Sequence, residues 1–235
     1  MKKKTRNILL SILIGAFLLC AIVGGTVYYY LFAPQFHPSK TVYVYIDRDD
    51  TTDSIYNKIR QTGHVNQFTG FLWMAKYKKL NQNIHTGRYA IRPNDNVYHV
   101  FSRLSRGYQE PINLTIGSVR TLDRLARSVG KQLMIDSAEI ARHLFDSTFQ
   151  AEMGYTPITM ACLFIPETYQ VYWDMSVDDF FKRMQTEHQR FWNGERLARA
   201  TAIGMTPEEV CTLASIVEEE TNNNEEKPMV AGLYI

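Results

Sequence analysis

The sequence predicts an α+β protein: an N-terminal transmembrane helix, a small βααβ subdomain and a mostly helical α+β remainder. Three observations predict it. The chain opens on a basic stub followed by a long uncharged run. A β-branched and aromatic segment, two helical periodicities and a second short strand signal then follow in order. Beyond about Thr121, helix caps and three-to-four-residue apolar spacing dominate.

Met1-Lys2-Lys3-Lys4-Thr5-Arg6 is basic, and no charge occurs from Ile8 to Phe32. A spanning helix needs roughly 20 apolar residues, so this run can cross a bilayer with some tilt. A cleaved signal peptide has a core of roughly 7 to 15 residues and a small-residue cleavage site. Here Tyr28-Tyr29-Tyr30-Leu31-Phe32 is bulky where a peptidase wants small side chains. Those tyrosines suit an interfacial belt, with rings half in lipid and hydroxyls in water. Cys20 follows Leu18-Leu19 rather than the small residues of a lipoprotein signal. The cations precede the helix and none follows it closely, so the expectation is a single-pass, N-in topology with everything from about Pro34 outside the cytoplasm.

All 24 acids lie beyond this helix, whereas Lys2, Lys3, Lys4 and Arg6, four of the 26 bases, precede it. The exported part is thus nearly neutral, which argues against a nucleic-acid partner. Its two cysteines, Cys162 and Cys211, sit in apolar stretches and are expected as two buried free thiols rather than a disulfide. The six histidines (37, 64, 85, 99, 143 and 188) show no short ligand spacing, so neither zinc nor any other cofactor is expected.

Residues 34–40, with two prolines in seven, read as a short stiff stalk after the stub and anchor of residues 1–33. Thr41 to Ile46 is a strand by composition. The polar stretch Asp47 to Asp53 supplies N-caps for a helix ending near Gly63, and Phe68, Phe71, Leu72 and Ala75 mark another from about Gln67 to Lys79. Gly87 to Ile91 is a short strand closed by Pro93. This strand-helix-helix-strand order resembles a LysM-type sugar-binding module, here bounded as residues 41–110. A helix over about 97–105 and a strand near Ile112 to Ile116 follow. The remainder, 111–235, opens helices at Thr121, at Asp136, at the Ser176-Val-Asp-Asp capping box and at Thr206-Pro207-Glu208-Glu209. The closing run Val230 to Ile235 has no terminator, so the chain is expected to stop within its domain.

Two segments could carry chemistry. On a helical wheel at roughly 100° per residue, Val210, Leu213, Ala214 and Val217 form an apolar stripe. Glu219 falls almost opposite that stripe, and Glu218 and Glu220 sit on its flanks. A carboxylate half-buried beside apolar surface favours its protonated form, which a general acid in glycoside cleavage requires. The wheel excludes Glu219 but does not choose between Glu218 and Glu220, and a solvated acidic helix end fits the same residues. The second segment, Leu163-Phe164-Ile165-Pro166-Glu167-Thr168-Tyr169 with Tyr172 and Trp173, gathers aromatics beside a carboxylate and a hydroxyl. That suits a sugar cleft, and equally a core strand or loop.

Together, Ala-Ser-Ile-Val-Glu-x-Glu-Thr (214–221) and Leu-Phe-Ile-Pro-Glu-Thr-Tyr (163–169) resemble the two signature stretches of the MltG (YceG-like) family of membrane-anchored endolytic murein transglycosylases. Glu167 stands where that family often has Asp. Thr86-Gly87-Arg88-Tyr89 and the helix at 97–105 resemble the edge of its LysM-like part. The resemblance implies a catalytic domain over 111–235, placed outside a bacterial inner membrane, that cleaves the MurNAc–GlcNAc bond and leaves a 1,6-anhydro end. It implies Glu220 as the catalytic acid, with Glu218, Thr221, Glu167, Thr168 and Tyr169 lining the glycan site. Because one carboxylate can both give and take the proton, the absence of a second placed acid is no obstacle. The implied partners are peptidoglycan strands and cell-wall synthases; the alternative is a non-catalytic wall-binding scaffold. Family stretches of the form Asn-Arg-Leu and Gln-x-Asp-Pro-Thr would fall beyond Ile235, so part of the cleft is expected to lie outside these residues.

Overall fold

The computed structural model of the chain describes residues 3–80, 84–118 and 120–235. The fold is mixed α+β and divides into two compact units, residues 1–111 and 112–235.

The first unit begins with α1 (Lys3–Leu31), within which the 25 residues Asn7–Leu31 are long and apolar enough to cross a membrane. β1 (Val42–Ile46), α2 (Thr52–Gly63), α3 (Thr69–Tyr77) and β2 (Gly87–Ile91) then realise the βααβ order. The strands pair antiparallel, with Val42 opposite Ile91 and Ile46 opposite Gly87. α2 starts where Thr51 accepts from the Ser54 amide, and it ends against His64 in the left-handed region. α3 is about two residues shorter at each end than the apolar spacing suggests, because Phe68 offers no side-chain cap. α4 (Val97–Ser105) is capped by Asn96, whose side chain accepts from the His99 amide at 2.8 Å. Val44, Ile46, Ile59, Phe71, Tyr89 and Phe101 meet in one core beneath the sheet.

Residues 34–40, expected as a stalk, are instead stitched into this unit. Phe36 is fully buried, and Pro34 and Phe36 bridge to Asn96 and Val65. The physical reason is Asp95. Its carbonyl accepts from the amides of Gln35 and Phe36, and its carboxylate accepts from the Arg92 amide at 2.7 Å and from the Arg103 guanidinium. A buried carboxylate survives only when paired and hydrogen-bonded, and this one ties the entry segment, the end of β2 and α4 into one knot.

The second unit pairs β3 (Ile112–Ile116) antiparallel with β4 (Glu167–Val171), placing Leu114 opposite Tyr169 and Ile116 opposite Glu167. Between them run α5 (Leu122–Gly130), α6 (Ser137–Phe145), α7 (Ser147–Glu152) and a 3₁₀ turn, Met160–Leu163. After β4 come α8 (Val177–Phe191), α9 (Gly194–Ala202), α10 (Pro207–Glu220) and α11 (Lys227–Gly232). Asp136, Ser176, Asn193 and Thr206 cap the starts of α6, α8, α9 and α10 with their side chains. The core gathers Leu114, Leu125, Ile140, Leu144, Phe180 and Phe181 between the two strands and the helices.

Replacing Asp95 by Ala leaves Arg103 half-enclosed without its counter-charge. Removing one partner of such a pair costs on the order of 3–5 kcal/mol. Hydrogen exchange of the β1–β2 amides is therefore expected to accelerate by roughly a hundredfold or more in Asp95→Ala. Unchanged protection would show that Asp95 does not hold the unit together.

Candidate active site

α10 is fixed at its start by a capping box in which Thr206 accepts from the Glu209 amide (3.2 Å) and the Glu209 carboxylate accepts from the Thr206 amide (2.8 Å). One turn on, a polar cluster holds it to its neighbours. The Cys211 thiol interacts with that of Cys162 on the 3₁₀ turn, and the Cys162 thiol donates to the Glu208 carbonyl at 3.8 Å. The two thiols are free and half-buried. Their interaction draws Cys162 below its ordinary value and pushes Cys211 up. Beside them, the Tyr155 hydroxyl lies 3.3 Å from His188 Nδ1. Burial, reinforced by Glu208, pushes Tyr155 to about 12, and burial lowers His188 against the opposing pull of Glu208.

The apolar stripe expected along α10 is buried only at Val217, 6% exposed; Val210 and Leu213 are half-buried and Ala214 is exposed. Glu220, expected half-buried on its flank, is exposed. A wheel specifies the angle of a side chain about the helix axis. It does not specify what lies over that side chain, and α11, which packs on α10, leaves Glu220 exposed.

What separates the three glutamates is their partners. Glu218 accepts from Lys227 Nζ at 2.6 Å. Glu219, expected to point into solvent, is exposed yet held by a two-pronged guanidinium fork: Arg120 Nε at 3.1 Å and Nη2 at 2.6 Å. Glu220 meets no cation within ion-pair range among the described residues. Its closest polar contact is the Tyr234 hydroxyl at 3.5 Å, the outer limit of a hydrogen bond. Thr221 terminates the helix in extended conformation, and its hydroxyl accepts from the Asn223 amide and donates to Glu226 at 2.8 Å.

Glu167, Thr168 and Tyr169 all lie on β4, where period-two alternation decides their surroundings. Thr168 is exposed, and its hydroxyl lies 3.0 Å from that of Thr115 across the ladder. Glu167 is exposed at the strand's start and accepts from the Thr168 amide. Tyr169, expected to line the glycan site, instead turns inward. It is 6% exposed, and its hydroxyl donates to the Ile165 carbonyl at 2.6 Å. Burial, with Glu187 and Glu167 nearby, raises that hydroxyl to about 12. The exposed aromatic of this segment is Tyr172, at 53%.

The strand end and the helix end are linked through Arg120. Ile116 pairs with Glu167, and Arg120, with its fork on Glu219, is only four positions, at most about 14 Å of chain, beyond Ile116. No hydrogen bond joins Glu167 or Thr168 to Glu220 among the described residues. Sequence reasoning missed Arg120, Lys227 and Tyr234. A lone arginine four positions after β3 is the one local signal, and nothing near it in sequence names its distant partner.

A family model described as the YceG-like family matches residues 44–235. No curated protein matches the chain. Among solved structures, the crystal structure of a yceG-like protein from Listeria monocytogenes is similar at 20% identity with a TM-score of 0.48, covering 81% of this chain and 67% of that one.

The cluster that holds α10 predicts a pH response. In the folded state His188 binds its proton less readily than its ordinary 6.5. The second unit should keep its full stability above about pH 7 and lose it as pH falls through 6.5 toward the lower folded value. At the alkaline end Tyr155 keeps its proton to about 12 against an ordinary 10, so stability should fall as pH rises from 10 toward 12. Thermal unfolding across pH should show both limbs, with His188→Gln flattening only the acid one. An acid limb unchanged in His188→Gln would contradict the assignment.

Proposed function

The chain belongs to the YceG-like family, and on that premise we propose that it is a membrane-anchored lytic transglycosylase in which Glu220 cleaves peptidoglycan glycan strands. α1 is the anchor, with its basic end in the cytoplasm and both units outside the inner membrane, where the protein terminates strands made by cell-wall synthases. Glu220 in its acid form protonates the oxygen bridging N-acetylmuramic acid to N-acetylglucosamine. As the muramic C1–O bond breaks, the C6 hydroxyl of the same sugar attacks C1 and its proton passes to the Glu220 carboxylate. The carboxyl ends as it began, no water is consumed, and the new end is a 1,6-anhydro ring.

The observation that carries this reading is the division of labour at the end of α10. Glu218 is paired with Lys227 and Glu219 with Arg120. Among the described residues Glu220 meets no cation, and its hydrogen-bonding neighbour is the Tyr234 hydroxyl. Of the three it is the one whose carboxyl can take up and release a proton without breaking an ion pair. A glycan strand laid over the exposed helix end would exclude water from it. Thr221, beside it, and Glu167 and Thr168, both exposed at the start of β4, are the sugar-binding positions of this proposal. Glu218 serves through Lys227 to position the helix end. The second reading, a non-catalytic scaffold that binds the wall, is favoured by the exposure of Glu220 before any glycan is bound.

Turnover of glycan strands by the full-length protein separates the two. Glu220→Gln should reduce cleavage by roughly 10²–10⁴-fold, the usual contribution of a general acid, with an unchanged thermal transition. Glu219→Gln loosens an exposed ion pair of about 0–1 kcal/mol and should leave cleavage nearly intact. Equal losses in both variants would overturn the assignment of Glu220, and wild-type protein that binds strands without cutting them would favour the scaffold.

A further inference from the structure

The face of α3 is unlike the rest of the first unit's surface. Its inner side, Gly70, Phe71 and Ala75, is buried, whereas Leu72, Trp73 and Tyr77 are exposed at 39%, 52% and 82%. Lys76, Lys78 and Lys79 surround them, exposed and without an ion pair among the described residues, and Lys78 lies over the Tyr77 ring. No acid occurs between Asp53 and Asp95, a stretch that also carries Lys58, Arg60, Arg88 and Arg92. A patch of aromatics and lysines on a folded surface needs a partner that takes both.

Its location indicates which partner. α3 is seated against the last turn of α1. A side chain at Gly70 would meet the Tyr30 carbonyl at 2.2 Å, so only glycine permits the approach. The Trp73 ring lies 5.0 Å from that of Tyr30. On the other side, Phe32 stacks near Tyr98 and its carbonyl accepts from Asn96. The 25 residues of Asn7–Leu31 span roughly 37 Å at about 1.5 Å per residue. The hydrocarbon layer is about 30 Å thick, so the final turn of α1 reaches the headgroups. Trp73, in contact with that turn, is at the same depth, and Tyr77 follows one turn further along the stripe.

We propose that the exposed face of α3 docks on the headgroup layer of the membrane that α1 crosses, with Trp73 and Tyr77 inserted at the interface and Lys76, Lys78 and Lys79 on anionic lipid phosphates. Tryptophan and tyrosine favour this layer because their rings are apolar and their polar edges stay wet. Lysines on the polar side of an interfacial helix gain from anionic headgroups. The result is a first unit laid against the bilayer rather than swinging on its anchor. This rests on the reading of α1 as a membrane anchor.

The unaltered chain in vesicles of phosphatidylglycerol and phosphatidylcholine, doped with a phospholipid carrying a photoactivatable diazirine near the headgroup, tests both readings separately. Mass mapping of lipid adducts should find them on α1 and on residues 69–80, with the second segment labelled about tenfold above exposed apolar positions of the other unit such as Leu197 and Ile203. Adducts on α1 with residues 69–80 no higher than those positions would overturn the docking while leaving the anchor. No adduct on α1 would overturn the anchor and the docking together.

Discussion

The Arg120–Glu219 fork marks the direction that Glu219 takes from a helix placed by its capping box. It is exposed, so its energy is small, but it is bidentate, so its geometry is specific. Successive side chains on a helix are rotated by about 100°. Once Glu219 is pinned toward the loop after β3, Glu218 is turned to Lys227 on α11 and Glu220 to Tyr234. Helical rotation thereby gives two of the three adjacent glutamates a cation and, among the described residues, leaves Glu220 without one. The capping box at Thr206 and the Cys162–Cys211–Tyr155–His188 cluster hold the other end of α10, so the fork acts on a helix that is already placed.

Much of the fold was legible because it is written in local patterns. The uncharged run of α1, the β-branched residues of β1 and the caps at Asn96, Asp136, Ser176 and Thr206 all act within a few residues of themselves. The α9 helix lacked so clear a pattern, although Asn193 caps it with its side chain. The stalk was misread because proline content reports local stiffness, whereas Phe36 is buried through contacts with Asp95 and Val65, tens of residues away.

At the candidate site two expectations about burial fail, for the same reason. The family resemblance carries residue types in order, and it led to α10 and to β4. It does not carry the phase of a strand. Thr168 and Tyr169 are neighbours in sequence, but the pleat sends one outward and the other into the core against Leu114. Nor does a helical wheel say what covers a flank, so Glu220 was expected half-buried and is exposed. The partners that distinguish the glutamates come from 99, 9 and 14 residues away, beyond the reach of any local periodicity.

The central claim is that one carboxyl closes a ring on the sugar itself, with no water entering the new bond. The most direct measurement is cleavage of glycan strands by the full-length protein in ¹⁸O-labelled water, with the new muramic ends weighed by mass spectrometry. The account predicts ends lighter by one water than ordinary reducing ends and free of the heavy isotope. Heavier ends carrying ¹⁸O would mean that water is the nucleophile, and the single-acid account of Glu220 would be wrong.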